Sequence, residues 1–265
     1  MFYASFTEGY KSGGFGSFAL NNASGKAIGF GETDDEEDVT QAAGFQANIF
    51  NPETVDSYEI GYKDTLFDDT ADISLTAFLY DYKDLQVVVG DGGAATIKNV
   101  GQADGYGLEG TITTKLSENF SLYIALSYLN TEANDLQDIC ALGDNNGCEG
   151  SSLYWAPEWS GAIVLNGNHP IDGGEVRSSL ELFGESERGG GFEDLNETKI
   201  DSSYEAAFRV GYHSDDAWSL GLYVENLTDE DGWDGQNNGS GILPSAFFGP
   251  KRPRTVGVNF SYEWE

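Results

Sequence analysis

Cations are the scarcest chemistry in this sequence. Its 265 residues hold 13 Lys and Arg against 45 Asp and Glu, for a net charge of -32. A surface that acidic repels phosphate backbones, so nucleic acid is excluded as a partner. Two Cys and two His are too few for most zinc or iron–sulfur centres, and no resident metal or cofactor is expected. No stretch approaches the ~18 apolar residues of a membrane helix. The opening Met1-Phe2-Tyr3-Ala4-Ser5-Phe6 has neither a basic nor an apolar region, so no signal peptide is read there. Disorder is excluded in turn, because 39% hydrophobic and 13% aromatic residues are too many for a chain that stays unfolded.

What the chain has in excess is glycine (35) and aromatics (14 Tyr, 16 Phe and 5 Trp), arranged with a period of two. Val256, Val258, Phe260, Tyr262 and Trp264 share one parity, while Thr255, Gly257, Asn259, Ser261 and Glu263 take the other. Tyr204, Ala206, Phe208, Val210 and Tyr212 oppose Glu205, Arg209 and His213 in the same way. Further alternating runs lie at 2–11, 55–66, 71–89, 106–116, 120–128, 155–166, 176–182 and 218–224. Nothing holds a 3.6-residue period. The reading is an all-β chain of about ten strands, most of them roughly 10–14 residues long.

Such lengths exceed the ~5–6 residues usual in soluble sheets and match what a tilted strand needs to cross an apolar band. Connections alternate as well. Short turns fall at 67–70, 117–119, 168–173 and 214–217; long polar segments fall at 12–54, 90–104, 133–153, 186–199 and 228–253. Short turns on one side and long loops on the other are the pattern of an antiparallel transmembrane β-barrel. Acidic residues crowd the long segments, as in Glu32 and Asp34–Asp38, and the apolar parity is nearly free of charge. Tyr10, Tyr62, Tyr82, Tyr128, Tyr154, Trp155, Tyr262 and Trp264 are expected in aromatic girdles. Cys140 and Cys148 flank a polar, turn-rich segment. Either they form a local disulfide, which implies an oxidising compartment, or they are two unrelated thiols.

Several segments in order resemble TonB-dependent outer-membrane receptors. These are Tyr3-Ala4-Ser5-Phe6-Thr7-Glu8-Gly9-Tyr10-Lys11, Asn51-Pro52-Glu53-Thr54 running into Ser57-Tyr58-Glu59-Ile60-Gly61-Tyr62-Lys63, and Tyr80-Asp81-Tyr82-Lys83-Asp84-Leu85. Asn99-Val100-Gly101-Gln102, Gly107-Leu108-Glu109-Gly110, Glu225-Asn226-Leu227-Thr228-Asp229 and Gly249-Pro250-Lys251-Arg252-Pro253-Arg254 follow, before the aromatic terminal strand. The resemblance implies a Gram-negative outer-membrane location and uptake of a scarce small-molecule ligand, most often a ferric siderophore, driven by the TonB complex. Family barrels have 22 strands around an N-terminal plug. The expectation is therefore that residues 1–265 are a single C-terminal barrel segment, with the plug and the TonB-contacting box missing. Val256, Val258, Phe260, Tyr262 and Trp264 would be the terminal signal for the barrel-assembly machinery, and Glu265 departs from the family's aromatic end.

No catalytic residues are expected, and the chain is read as a receptor, not an enzyme. Glu181 with Arg177, and Glu205 with Arg209, read as charge ladders on a wet lumen wall. His169 and His213 lack partners for metal or nucleophilic chemistry, and Gly189–Gly191 lacks the residues of a phosphate cradle. The run Asp34–Asp38 lacks the spacing of a calcium loop. Trp155, Phe192, Trp233 and Phe247 are candidate ligand contacts among the loop aromatics. Two alternatives stand beside this reading: a complete ten-stranded outer-membrane barrel such as an adhesin, and a soluble, secreted, calcium-dependent carbohydrate-binding β protein.

Overall fold

A computed structural model describes residues 1–21, 27–28, 46–91, 94–99, 101–134, 150–153, 155–189, 199–237 and 247–264. In chain order the strands are β1 (Phe2–Lys11), β2 (Gly14–Asn21), β3 (Ala27–Ile28), β4 (Gln46–Phe50), β5 (Glu53–Leu66), β6 (Ala71–Lys83), β7 (Gln86–Asp91), β8 (Ala94–Asn99) and β9 (Gln102–Lys115). There follow β10 (Phe120–Asn134), β11 (Trp159–Ile171), β12 (Gly174–Glu185), β13 (Ser203–Ser214), β14 (Trp218–Glu225), β15 (Trp233–Asn237), β16 (Phe247–Pro250) and β17 (Thr255–Tyr262). Ten of them form one antiparallel sheet in the order β1-β5-β6-β9-β10-β11-β12-β13-β14-β17. The other seven form three small sheets inside the long connections. This is the all-β wall that the alternation implies. Among the described residues β1 pairs only with β5 and β17 only with β14, so the wall is open at both edges.

Strand boundaries differ from the sequence reading where a polar turn hides in an apolar run. The run 71–89 is two strands: Asp84 takes a positive φ of 56° and turns the chain from β6 into β7. His169 and Pro170 lie within β11, not in a turn, and the connection to β12 is only Asp172-Gly173, with Gly173 at φ 82°. Trp155 precedes β11 in a loop, at φ 54°.

The register aligns the apolar parity of neighbouring strands into rows. One row reads Ile73, Ile112, Ile124, Ile163, Leu182 and Ala206 across β6 to β13. Another runs Leu122, Leu165, Leu180, Phe208, Val224 and Val256. Apart from Ala206, the side chains of this face are exposed or half-buried: Leu126, Leu222, Val258 and Phe260 are all more than half exposed. Buried hydrophobics among the described residues are only Ala71, Ala103, Ala133, Ile200 and Ala206. A water-soluble sheet needs a covered apolar face; this one presents its apolar face outward, as a lipid-facing wall does.

Aromatic pairs frame that face. Phe6 with Tyr58 (centroids 4.9 Å apart) and Tyr128 with Trp159 (4.6 Å) lie toward the long connections. Phe2 with Tyr62 (4.6 Å), Tyr212 with Trp218 (5.2 Å) and Tyr262 with Trp264 (5.9 Å) lie toward the short turns. Of the expected girdle residues, Tyr62, Tyr128, Tyr262 and Trp264 stand in these two bands, whereas Trp155 sits in the loop before β11 and Tyr82 faces the other way. Tyr82 shares the opposite parity with Phe78 and Tyr80, the latter two stacked with an interplanar angle of 7°. Tyr154 lies outside the described residues.

Candidate functional site: the lumen wall and its outer rim

The inward parity of β12, β13 and β14 carries charge. Arg209 donates to Glu181 and also approaches Glu225 (3.7 Å), and Glu225 accepts from Arg252 (2.8 Å). Arg177 pairs with Glu175 on its own strand. The lumen-wall charge ladder of the sequence reading is therefore present with other partners. Glu205 does not pair with Arg209, nor Glu181 with Arg177, because residues four apart on one strand stand about 13 Å apart, whereas the register sets Ser179 opposite Arg209 and leaves Glu181 within its reach. Glu205 instead holds Lys251 at 2.7 Å. Beside this network a recess of about 520 Å³ is lined by Asn166, Arg177, Arg209, His213, Tyr223 and Glu225. Glu59 and Glu109 also share the inward parity, and neither has a cation partner among the described residues.

Glycine makes room for the large rings of this wall. A Cβ at Gly105 would lie 2.1 Å from the Tyr80 ring, one at Gly61 2.3 Å from the Tyr3 ring, and one at Gly257 2.2 Å from the Tyr223 ring. Each ring thus lies across a neighbouring strand's glycine, which explains why glycine and tyrosine are in excess together.

Two amide clamps fix the bases of the outer hairpins. The Gln86 side-chain amide donates to the Lys11, Ser12 and Asn51 carbonyls, and its backbone N–H donates to Glu53. Asn99 donates to the Asn51 and Asp84 carbonyls and accepts from the Asn51 N–H. Together they tie the connection after β1 to the β7–β8 hairpin, and β2 packs against β8. At the far end Asn226, only 4% exposed, donates to the Glu230 and Arg252 carbonyls and accepts from the Glu230 N–H and the Thr228 hydroxyl. Neither clamp was singled out in the sequence as a site. The only signal is an amide residue beside a turn, which specifies nothing until partners far along the chain are known.

The outward face bears a feature visible only in the register. Glu8, Asp56, Asp81, Asp104 and Glu132 stand level across β1, β5, β6, β9 and β10, just beyond the outer aromatic row. Lys83 reaches two of them, Asp56 at 2.9 Å and Asp81 at 3.2 Å. Asp64, near the short turns, is a second departure from a charge-free outward parity, and it accepts from the Tyr62 hydroxyl.

Of the candidate ligand contacts, Trp155 and Trp233 are both about half exposed on the rim. The structure ties them to one segment: the Trp155 N–H donates to the Gly189 carbonyl, and the Arg188 guanidinium donates to the carbonyl of Asp234, next to Trp233. Phe247 opens β16 opposite Asn237. Phe192, Cys140, Cys148, Asp34–Asp38 and Glu265 lie outside the described residues. Val256, Val258, Phe260 and Tyr262 form the exposed face of β17, and Trp264 follows that strand at 82% exposure. His169 faces outward against Phe120 (5.0 Å), and His213 faces the lumen. Among the described residues no three His, Cys, Asp or Glu side chains converge to hold a metal ion.

A meander of long strands with an apolar outside, a polar inside, short turns at one end and elaborated hairpins at the other defines an outer-membrane barrel wall. The chain belongs to the family of TonB dependent receptor-like β-barrels, whose model matches residues 1–227. That family resides in the Gram-negative outer membrane and comprises receptors and transporters. The wall is similar to the ferric yersiniabactin uptake receptor FyuA from Yersinia pestis (TM-score 0.72, 20% identity, covering 98% of this chain and 34% of that one). It is also similar to the siderophore receptor PiuA from Acinetobacter baumannii (0.67, 15%, 98% and 33%). A third likeness is to the copper transporter OprC (0.61, 16%, 81% and 32%). The chain thus spans about a third of the length of the receptors it matches. No curated protein matches it in sequence.

Proposed function

We propose that residues 1–265 are a single C-terminal barrel segment of a receptor that captures an iron–siderophore or similar scarce complex at its outer rim and imports it with energy from the TonB complex. The observation that carries this reading is the two-faced wall: apolar outside, charged and aromatic inside, and roofed on one side only by hairpins. The charges of the lumen wall, most of them paired on β12 to β14, offer hydrogen bonds to a polar ligand. Trp155 and Trp233 supply flat apolar surface at the point of entry, and Phe192 and Phe247 belong to the same set of outer connections. The outward rows seat the wall in lipid, and the exposed face of β17 serves as the signal for the barrel-assembly machinery. Cys140 and Cys148, eight positions apart in one outer connection, form a local disulfide there.

Deleting the parent gene tests the reading. Growth on at least one ferric siderophore of a chemically varied panel, as sole iron source, should be lost, and deleting tonB should cause the same loss. Copper supplied as the scarce nutrient is the control arm. Unchanged growth on every ferric complex would sink the iron assignment, and import that survives loss of TonB would sink the mechanism.

A further inference from the structure

Strands β15 and β16 pair with each other in a sheet of their own, separate from the wall. Polar ties seat this hairpin. Lys251, directly after β16, is 6% exposed at its side chain; it binds Glu205 of β13 at 2.7 Å and lies 4.0 Å from Asp234 of β15. Arg188, 12% exposed, pairs with Glu185 at the end of β12 and donates to the Asp234 carbonyl at 3.1 Å. Asp234 is thus gripped twice, through its carboxylate and through its backbone. Arg252 completes the seating by pairing with Glu225 of β14. Between the hairpin and the wall lies a recess of about 440 Å³, lined by Phe183, Ala207, Arg209, Glu225, Asp234 and Arg252.

The charge balance gives this seating its direction. Without the hairpin's returning leg, Glu181, Glu205 and Glu225 would face Arg209 alone. Lys251 and Arg252 bring the two missing cations, so the returning leg offsets the excess negative charge of the wall. A nearly buried cation that loses its partner is strongly unfavourable, whereas an exposed pair contributes little. Charge therefore holds the hairpin to the wall at a few defined points.

We propose that β15–β16 is a strap clamped across the outer end of β12–β14, with Lys251 and Arg188 as positioning residues that control access from outside to the lumen wall beneath it. That this access governs ligand entry rests on the transport reading above; the clamp itself does not.

The test uses the intact receptor in outer-membrane vesicles, carrying Ala207→Cys in the floor of the recess. An impermeant maleimide is added outside, and labelling at position 207 is followed by peptide mass spectrometry. Lys251→Gln and Arg188→Gln should each speed labelling about tenfold or more, the factor carried by one lost charge-assisted hydrogen bond. Lys251→Arg should restore the native rate. Arg254→Gln, which removes the exposed pair with Asp229, should leave it unchanged. Hydrogen exchange should rise in 233–237 and 247–250 and stay constant in 203–225. An unaltered labelling rate in the Lys251→Gln, Arg188→Gln double variant overturns the clamp, as does exchange that rises equally through β13 and β14. No ligand is used, so failure of import and failure of the clamp are read separately.

Discussion

The ring-over-glycine joints of the lumen wall make a quantitative prediction. At Gly105 a Cβ would stand 2.1 Å from Cζ of Tyr80 and 2.3 Å from Cε2, far inside any contact a methyl group can make. Gly105 is buried, and Tyr80 packs edge-on against Tyr82 with centroids 5.3 Å apart, so the ring cannot swing aside freely. Gly105→Ala should therefore cost about 1–3 kcal/mol, the usual range for overpacking. Tyr80→Ala removes the obstacle. In that background Gly105→Ala should be neutral, or stabilising by up to ~1 kcal/mol, because alanine loses less chain entropy than glycine on folding. The coupling between the two changes should thus be roughly 1–4 kcal/mol.

Gly107 supplies the contrast. Its Cβ would meet the Phe78 ring at 2.5 Å but also the Tyr128 backbone carbonyl at 2.3 Å. No rotamer change clears a carbonyl, so Phe78→Ala should not rescue Gly107→Ala. Urea unfolding of the intact receptor in lipid vesicles, followed by the heat-dependent gel mobility of folded barrels, gives the four variants of each cycle. Equal costs of Gly105→Ala with and without Tyr80 would refute the joint. Rescue of Gly107→Ala by Phe78→Ala would show that the strands can separate more easily than their register implies.

Three further outcomes follow from named contacts. Asn226→Ala orphans the Arg252 and Glu230 carbonyls and the Glu230 N–H and puts alanine at φ 49°; it should cost roughly 2–4 kcal/mol, with Asn226→Asp intermediate because its oxygen still accepts, and equal costs for the two would refute this. Lys83→Gln leaves five carboxylates level across β1 to β10 without their cation; hydrogen exchange at the outer ends of β5 and β6 should quicken in low salt and return to native in about 1 M salt, where the screening length is about 3 Å, and a difference indifferent to salt would rule out repulsion as its cause. Val258→Arg, in the middle of the outward face of β17, should cost about 2–4 kcal/mol in lipid vesicles, whereas Asn259→Arg on the lumen face should cost far less; equal costs would mean that the faces are assigned the wrong way round.

How much of this was legible in the sequence depends on whether the information is local. The ten wall strands were legible because the side-chain period of a strand is 2, and a membrane wall needs that alternation to persist longer than a soluble sheet does. Phe2–Lys11 is observed with its expected bounds, and the terminal alternation of Val256, Val258, Phe260 and Tyr262 is the outward face of β17. The break between β6 and β7 was not legible, because Asp84 and Leu85 continue the alternation while Asp84 in fact turns the chain. Tyr82 was assigned to a girdle for being aromatic near a strand end, but only its parity with Phe78 and Tyr80 sends it into the lumen. The ion pairs show the limit most clearly. Glu205 and Arg209 are four apart on one face, so local spacing joins them; the cross-strand register instead gives Arg209 to Glu181 and Glu225, and Glu205 to Lys251, 46 positions away. The same holds for the level row of Glu8, Asp56, Asp81, Asp104 and Glu132, in which no two members are close in sequence. In a meander, which face a residue takes is written locally, but its neighbours on that face are set by the stagger of five or more strands. The composition announced a wall; the clamps and the strap are properties of the stagger.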